Sequence, residues 1–237
     1  MKLKPLLLAG GQSTRMGHPK HLLVLPNGTP LYIHMLQILS RACPDAETVY
    51  LSLRKASELD ASLQDGILRS PSVRGNSREE GHDVQPHAAP TKVTILYDAH
   101  SSTESSESSG STSLGPAAGL LAAHELDPGA TWLVVACDYP LLTVEALLEL
   151  RAAYQDPVTC YENSEGFLEP LLGIWSPTAL ARLKENVAKG KLSPSKTVKE
   201  VRGRAVKAPE GCEDWLWNAN TPQEWEEAID LIKHDAL

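Results

Sequence analysis

Short apolar runs alternate with longer amphipathic segments through most of this 237-residue chain. A short apolar run bounded by turn residues fits a buried strand, whereas apolar residues spaced three and four apart fit a helix. Regular alternation of the two favours a mostly parallel sheet with helices on both faces. The predicted strands are Pro5–Ala9, Thr48–Leu53, Val93–Tyr97, Thr131–Ala136, Leu171–Ile174 and Ala205–Lys207. The predicted helices are Leu31–Ala42, Ala117–Leu126, Val144–Tyr154, Pro177–Val187 and Pro222–Lys233.

Two of these helices carry a chemical start signal. Ser176-Pro177 and Thr221-Pro222 each place a capping hydroxyl directly before a proline at the first helical position, where the missing proline N–H costs nothing. Glu224 follows at the spacing of a capping box with Thr221, so we expect these two residues to exchange hydrogen bonds at the start of the last helix.

The loop after the first predicted strand combines glycines with two cations. It runs Leu8-Ala9-Gly10-Gly11-Gln12-Ser13-Thr14-Arg15-Met16-Gly17-His18-Pro19-Lys20. Gly10 and Gly11 remove the Cβ atoms that would block a tight turn or a close phosphate, and Arg15 and Lys20 supply positive charge. Glycines alone fit an ordinary turn equally well. The added cations indicate a nucleoside triphosphate site, although the spacing matches neither the Walker nor the dinucleotide pattern.

Two aspartates follow predicted strands. Asp138 comes after the continuous apolar run Thr131–Ala136, and Asp98 ends the run Val93–Tyr97. Ligands of parallel sheets gather at the carboxyl ends of strands, so both side chains are expected beside the glycine loop. A carboxylate there suits Mg²⁺, which takes few protein ligands and bridges phosphate oxygens. The alternatives are that Asp138 caps the next helix and that Asp98 caps a turn.

At these residues the chain resembles the MobA-type nucleotidyltransferases, the molybdenum cofactor guanylyltransferases, and their wider GT-A-like superfamily. The family's leading motif is met at every fixed position from Leu8 to Lys20. Further family-like blocks follow in order, namely Gly115-Pro116-Ala117-Ala118-Gly119, Cys137-Asp138-Tyr139-Pro140-Leu141-Leu142, Glu169-Pro170-Leu171 and Asn218-Ala219-Asn220-Thr221-Pro222. The resemblance implies a three-layer α/β/α, Rossmann-like nucleotidyltransferase fold. One family feature, an asparagine near the end of the second strand, has no counterpart around Ser52–Arg54.

The resemblance also implies roles for individual residues. The residues implied in nucleotide binding are Leu8, Ala9, Gly10, Gly11, Lys20, Asp98, Gly115, Gly119 and Asp138. Asp138 is the implied Mg²⁺ ligand, and Arg15, Lys20 and Asp138 the implied catalytic residues. The implied acceptor-side residues are Pro170, Asn218 and Asn220. From the residues alone, Gly115 and Gly119 could equally serve close helix–sheet packing, and Pro170 a structural bend.

The implied reaction is Mg²⁺-dependent transfer of GMP from GTP to the terminal phosphate of molybdopterin, with release of pyrophosphate. The Leu-Ala-Gly-Gly start and the Gly-Pro-x-Ala-Gly block favour GTP, because cytidylyl relatives tend to Leu-Ala-Ala-Gly. A molybdopterin cytidylyltransferase and a sugar-phosphate nucleotidyltransferase would use the same loop and metal. Outside enzymes, the alternatives are an inactive nucleotide-binding regulatory protein and a structural domain. The resemblance further implies transient contact with molybdoenzymes or cofactor-insertion proteins.

Charge and length limit the remaining possibilities. Lys and Arg number 22 against 30 Asp and Glu, a net charge of −8, which gives no general attraction to nucleic acid or to an anionic membrane. No apolar span of about twenty residues occurs, and we expect a cytoplasmic protein. We further expect a single nucleotidyltransferase domain over residues 1–237, with mobile polar surface insertions near residues 70–90 and 101–113. The second is almost pure Ser, Thr, Glu and Gly, which cannot bury enough apolar surface to order it.

Overall fold

The structure is a computed structural model, and it describes residues 2–10, 16–17, 19–54, 92–99 and 114–235. Gly11 and Arg15 of the glycine loop lie outside these residues. So do both predicted polar insertions, near residues 70–90 and 101–113.

The described residues form seven β-strands, six α-helices and two 3₁₀ helices. The strands are β1 (Lys4–Leu8), β2 (Thr48–Leu53), β3 (Lys92–Tyr97), β4 (Trp132–Ala136), β5 (Val158–Glu162), β6 (Leu168–Trp175) and β7 (Arg204–Val206). The α-helices are α1 (Leu31–Ala42), α2 (Ala117–Leu126), α3 (Val144–Ala152), α4 (Pro177–Ala188), α5 (Pro194–Glu200) and α6 (Pro222–Asp235). The 3₁₀ helices are Lys20–Leu22 and Glu213–Leu216.

The strands form one sheet in the order β3-β2-β1-β4-β6-β5-β7. All neighbours pair in parallel except β6, which runs antiparallel to both β4 and β5. The carboxyl ends of β1 to β4 therefore share one edge of the sheet. Because β6 reverses direction, the hairpin that joins β5 to β6 also opens at this edge. The prediction of a mostly parallel sheet is confirmed.

Successive residues of the central strands face opposite sides of the sheet. On one side Leu7 and Leu133 pack with α1, α3 and the inner face of α6. On the other side Leu6 and Val134 pack with α2, α4 and α5. The two apolar cores make three α/β/α layers, as expected. None of the described helices is both long enough and apolar enough to span a bilayer.

One strand and one α-helix were not predicted, and neither were the two short 3₁₀ helices. β5 is five residues long and includes Thr159, so it lacks a clear apolar run. α5 buries only Pro194, Thr197 and Val198, too few for a helical period to stand out. β6 also begins at Leu168 rather than Leu171. As a result, Pro170, for which a turn or bend was considered, lies inside a strand beside an irregularity in the pairing of β5 and β6. Other boundaries moved by one or two residues.

Candidate active site

Backbone hydrogen bonds continue past the ends of the central strands and bring two site segments together. The amide of Ala9 donates to the carbonyl of Ser52 over 2.9 Å, and the amide of Cys137 donates to the carbonyl of Leu8 over 3.0 Å. Gly10 and Asp138, one residue further on each chain, therefore leave the sheet side by side. This is the placement expected from the positions of the two segments after parallel strands.

Lys20 lies at the centre of the site, at the start of the first 3₁₀ helix. Its Nζ is 3.6 Å from Asp138 Oδ2 and donates to Asn220 Oδ1 over 2.6 Å. The Lys20 and Asp138 side chains are 15% and 22% exposed, so solvent screens the pair less than a surface ion pair. The adjacent His21 is buried and anchors the 3₁₀ turn in the interior. Lys20 and Asp138 thus come together as expected.

Among the described residues, one oxygen of the Asp138 carboxylate has no hydrogen-bond partner. Burial raises the Asp138 pKa, while the charge of Lys20 and the amide of Asn218 act against this rise. Oδ1 of Asp138 and Oδ1 of Asn218 are both buried and lack hydrogen-bond partners among the described residues. Buried acceptors left in this state cost free energy unless a ligand satisfies them. Two oxygen acceptors of this kind fit a hard divalent cation that keeps most of its waters.

The segment that carries Asn218 and Asn220 is tied to Asp138 through its backbone. The amide of Ala219 donates to the carbonyl of Asp138 over 2.9 Å. The segment leads into α6, where Thr221 and Glu224 exchange hydrogen bonds of 2.8 and 3.3 Å. The predicted capping box is confirmed. The contact of Asn220 with Lys20 was missed, since both asparagines were assigned only to the implied acceptor side.

A second cluster surrounds Asp98 at the ends of β2 and β3. Ser52 Oγ donates to Asp98 Oδ1 over 2.5 Å and so fixes the position of this carboxylate. Ser52 lies near the end of β2, the strand in which the family carries its asparagine. A Cβ at Gly10 would overlap the Asp98 carboxylate, so any larger residue there would displace this carboxylate. Sequence analysis missed Ser52, because a buried serine in a strand carries no distinguishing pattern.

The Gly115–Gly119 block begins α2 beside this cluster. Gly115 has φ +54°, a left-handed conformation that glycine adopts without strain. A Cβ on Gly119 would lie 2.5 Å from Leu8 Cδ2 and 2.7 Å from Ser52 Oγ. The close packing of helix on sheet considered for these glycines is therefore present at Gly119, and it brings the helix start to the ends of β1 and β2.

A third set of polar groups reaches Asp138 from the β5–β6 hairpin. Tyr139 Oη donates to Glu169 Oε2 over 2.9 Å, and Asn163 Nδ2 donates to Glu169 Oε1 over 3.0 Å. Burial raises the Glu169 pKa, and the charge of Asp138 raises it further. Pro170 itself is buried, and its carbonyl accepts a bond of 2.8 Å from Trp175 Nε1. Its acceptor-side role stays a prediction.

The arrangement has the properties of an anion site that needs a cation. No three His, Cys, Asp or Glu side chains converge as a metal site within the ranges that the structure describes. A lysine, a carboxylate with an unsatisfied oxygen and a glycine backbone nonetheless meet at one sheet edge. Such groups suit a phosphate chain, whose oxygens can complete the coordination of a metal ion that has few protein ligands.

Comparison with known proteins agrees with this chemistry. Residues 5–203 match the MobA-like NTP transferase domain family. A molybdenum cofactor biosynthesis bifunctional protein of Synechocystis sp. is 29% identical over 223 residues, which cover 93% of this chain and 52% of that protein. The chain thus spans about half the length of this relative. A probable molybdenum cofactor guanylyltransferase of Rhodopirellula baltica is 27% identical over 224 residues, with 92% and 87% covered.

A solved structure shares the architecture. Molybdopterin-guanine dinucleotide biosynthesis protein A from Archaeoglobus fulgidus superposes with a TM-score of 0.64 at 17% identity, covering 98% of this chain and 100% of that one. At this identity the likeness shows the fold. The family match itself extends over most of the chain and includes the residues around Lys20 and Asp138. The chain therefore belongs to the MobA-like NTP transferase family and is a nucleotidyltransferase.

Proposed function

We propose that this protein transfers GMP from GTP to the terminal phosphate of molybdopterin in a Mg²⁺-dependent reaction that releases pyrophosphate. The observation that carries the proposal is the pairing of Lys20 with a carboxylate whose second oxygen is buried and has no partner in the part of the chain that the structure describes. The choice of guanine and of the pterin acceptor is supported by the relative from Rhodopirellula baltica, named a probable molybdenum cofactor guanylyltransferase.

Asp138 and Asn218 would hold the metal. Their Oδ1 atoms are the two buried side-chain oxygens that lack partners among the described residues, and oxygen ligands of this type fit Mg²⁺. When bound, the ion would supply positive charge to the reacting phosphates. Asp138 provides the formal charge of the site, and the Asn218 amide provides a neutral oxygen beside it.

The remaining residues bind and orient the nucleotide. Lys20 neutralises the β- and γ-phosphates, together with Arg15 of the same loop. The backbone around Leu8–Gly10 approaches the nucleotide, and the start of α2 at Gly115–Gly119 lies alongside. Asp98, held by Ser52, accepts hydrogen bonds from the base. A carboxylate has two acceptor oxygens, which match the adjacent N–H donors of guanine.

Transfer requires no protein nucleophile. The phosphate of the acceptor is already ionised near neutral pH, so the protein aligns it with the α-phosphorus and stabilises the charge that moves to pyrophosphate. Pro170, Asn218 and Asn220 are proposed to lie on the acceptor side. The protein is further proposed to act in the cytoplasm and to pass its product to molybdoenzymes or cofactor-insertion proteins by transient contact.

Calorimetry with Mg²⁺ and each of the four NTPs, followed by product analysis with molybdopterin, tests this function. We expect GTP to bind most tightly and to yield a guanine dinucleotide and pyrophosphate. Lys20→Ala should weaken GTP binding, whereas Lys199→Ala, at an exposed position of α5 on the opposite side of the sheet, should not. Preferential binding of CTP, or an absence of pyrophosphate release with GTP and molybdopterin, would overturn the proposal.

A further inference from the structure

We infer that Glu224, in the first turn of α6, is a positioning residue that sets the location of Lys20 through Asn220. The inference rests on the proposed function, because its consequence is measured on the lysine proposed to bind the triphosphate. Glu224 itself binds neither the substrate nor the metal. Its effect passes through one backbone hydrogen bond and one side-chain hydrogen bond.

The first step is a hydrogen bond that a capping box does not require. In a capping box the glutamate accepts from the N-cap amide only, here the amide of Thr221 over 2.8 Å. Glu224 Oε2 also accepts from the amide of Asn220, over 2.7 Å. This second bond ties Asn220, the residue before the N-cap, to the start of α6. The side chain of Asn220 reaches the site.

The second step runs from Asn220 to Lys20. Asn220 Oδ1 accepts from Lys20 Nζ over 2.6 Å, which is shorter than the 3.6 Å between Lys20 Nζ and Asp138 Oδ2. On the other side of Asn220, the amide of Ala219 is bonded to the carbonyl of Asp138. The Asn220 backbone is thus fixed on both sides, so its amide oxygen has a defined place from which to hold the lysine.

Glu224 itself is firmly placed. Its carbonyl accepts from Trp217 Nε1 over 3.0 Å, and α6 packs on the core through Trp225, Ile229 and Ile232. Burial raises the Glu224 pKa, but the bonds from Asn220 and Thr221 and the charge of Lys20 outweigh it and hold this pKa below its usual range. The carboxylate is therefore ionised at neutral pH and is the stronger acceptor for it.

The variant Glu224→Ala removes both amide bonds, and we expect GTP affinity to fall about tenfold, the usual effect of losing a hydrogen bond to a charged group. Affinity for inorganic tripolyphosphate should fall by the same factor, because the effect is on the phosphates. Glu224→Gln keeps a side-chain oxygen at the same place and should restore most of the affinity. The matched control is Ser193→Ala, which removes the N-cap of α5 on the opposite face of the sheet and should leave both affinities unchanged.

A double-mutant cycle separates positioning from a general loss of stability. If Glu224 acts through Lys20, adding Glu224→Ala to Lys20→Ala should cost little further GTP affinity. Additive losses, or wild-type GTP affinity in folded Glu224→Ala, would overturn the inference and leave the proposed function standing. A wild-type protein that binds neither GTP nor tripolyphosphate would overturn both. Should Glu224→Ala fail to fold, Glu224→Asp, whose carboxylate is one methylene shorter and lies further from the Asn220 amide, takes its place in the cycle, with the same expected coupling to Lys20.

Discussion

Lowering the pH should destabilise the fold through His21. Burial lowers the pKa of the His21 imidazole from 6.5 to about 4, and its Nε2 has no hydrogen-bond partner among the described residues. The imidazole is therefore neutral in the folded protein, while the unfolded chain takes up a proton near pH 6.5. Because the folded pKa is the lower one, the stabilising contribution is complete above about pH 6.5 and is lost as the pH falls towards 4.

The two pKa values set the size of this effect. At about pH 5 the unfolded chain has bound most of its proton and the folded protein little, which favours unfolding by about 2 kcal/mol relative to pH 7.5. The variant His21→Leu cannot take up this proton. The free energy of unfolding of His21→Leu minus that of the wild type should therefore increase by about 2 kcal/mol as the pH falls from 7.5 to 5. In a domain of this size the midpoint temperature should shift by roughly 4–8 °C.

Urea unfolding followed by circular dichroism, at both pH values and for both proteins, measures this difference. Any loss of packing in His21→Leu cancels, because it contributes at both pH values. The control is Lys199→Ala, an exposed change that should leave the pH dependence as in the wild type. A difference between His21→Leu and wild type that does not change with pH would refute the assignment of a buried, neutral His21.

Three further outcomes follow from individual side-chain contacts. Asp138→Asn should lower pyrophosphate release at least about a hundredfold without lowering the midpoint temperature at pH 7, because burial already disfavours the charged form; loss of the fold would contradict this. Gly10→Ala should weaken GTP binding roughly tenfold in calorimetry, since its Cβ would displace the Asp98 carboxylate. Asn186→Ala removes bonds of 3.0 and 2.6 Å to α5, and urea unfolding should show a loss of about 1–3 kcal/mol at unchanged turnover.

The layered fold could be predicted because its strongest signals are local. β4 reads as continuous apolar sequence, and its five residues are all buried. The helix starts at Pro177 and Pro222 were marked by residues that lie next to them in the chain. α5 has the same Ser-Pro start, at Ser193-Pro194, but its few buried residues gave no period to support it. Short elements of this kind depend on packing that the sequence does not display.

The site was predictable only as far as strand ends determine it. Lys20 and Asp138 follow neighbouring parallel strands, and their approach follows from that order. The bond of Lys20 to Asn220 joins residues 200 positions apart and depends on the path by which α6 returns to the sheet edge. The bond of Ser52 to Asp98 was likewise not predictable from a motif, because it requires the pairing of β2 with β3. Contacts of this kind are set by chain topology rather than by motif.

The reversed direction of β6 divides the surroundings of Asp138 between two independent connections. The loop after β1 supplies Lys20, whereas the β5–β6 hairpin supplies Glu169. This hairpin carries Phe167 at its tip, and the Phe167 side chain is 63% exposed. The hairpin tip is closed by its own Asn163, which accepts from the amides of Glu165 and Phe167. Exchanging the tip of this hairpin would therefore alter the surroundings of Asp138 on one side, while the segment that carries Lys20 kept its backbone.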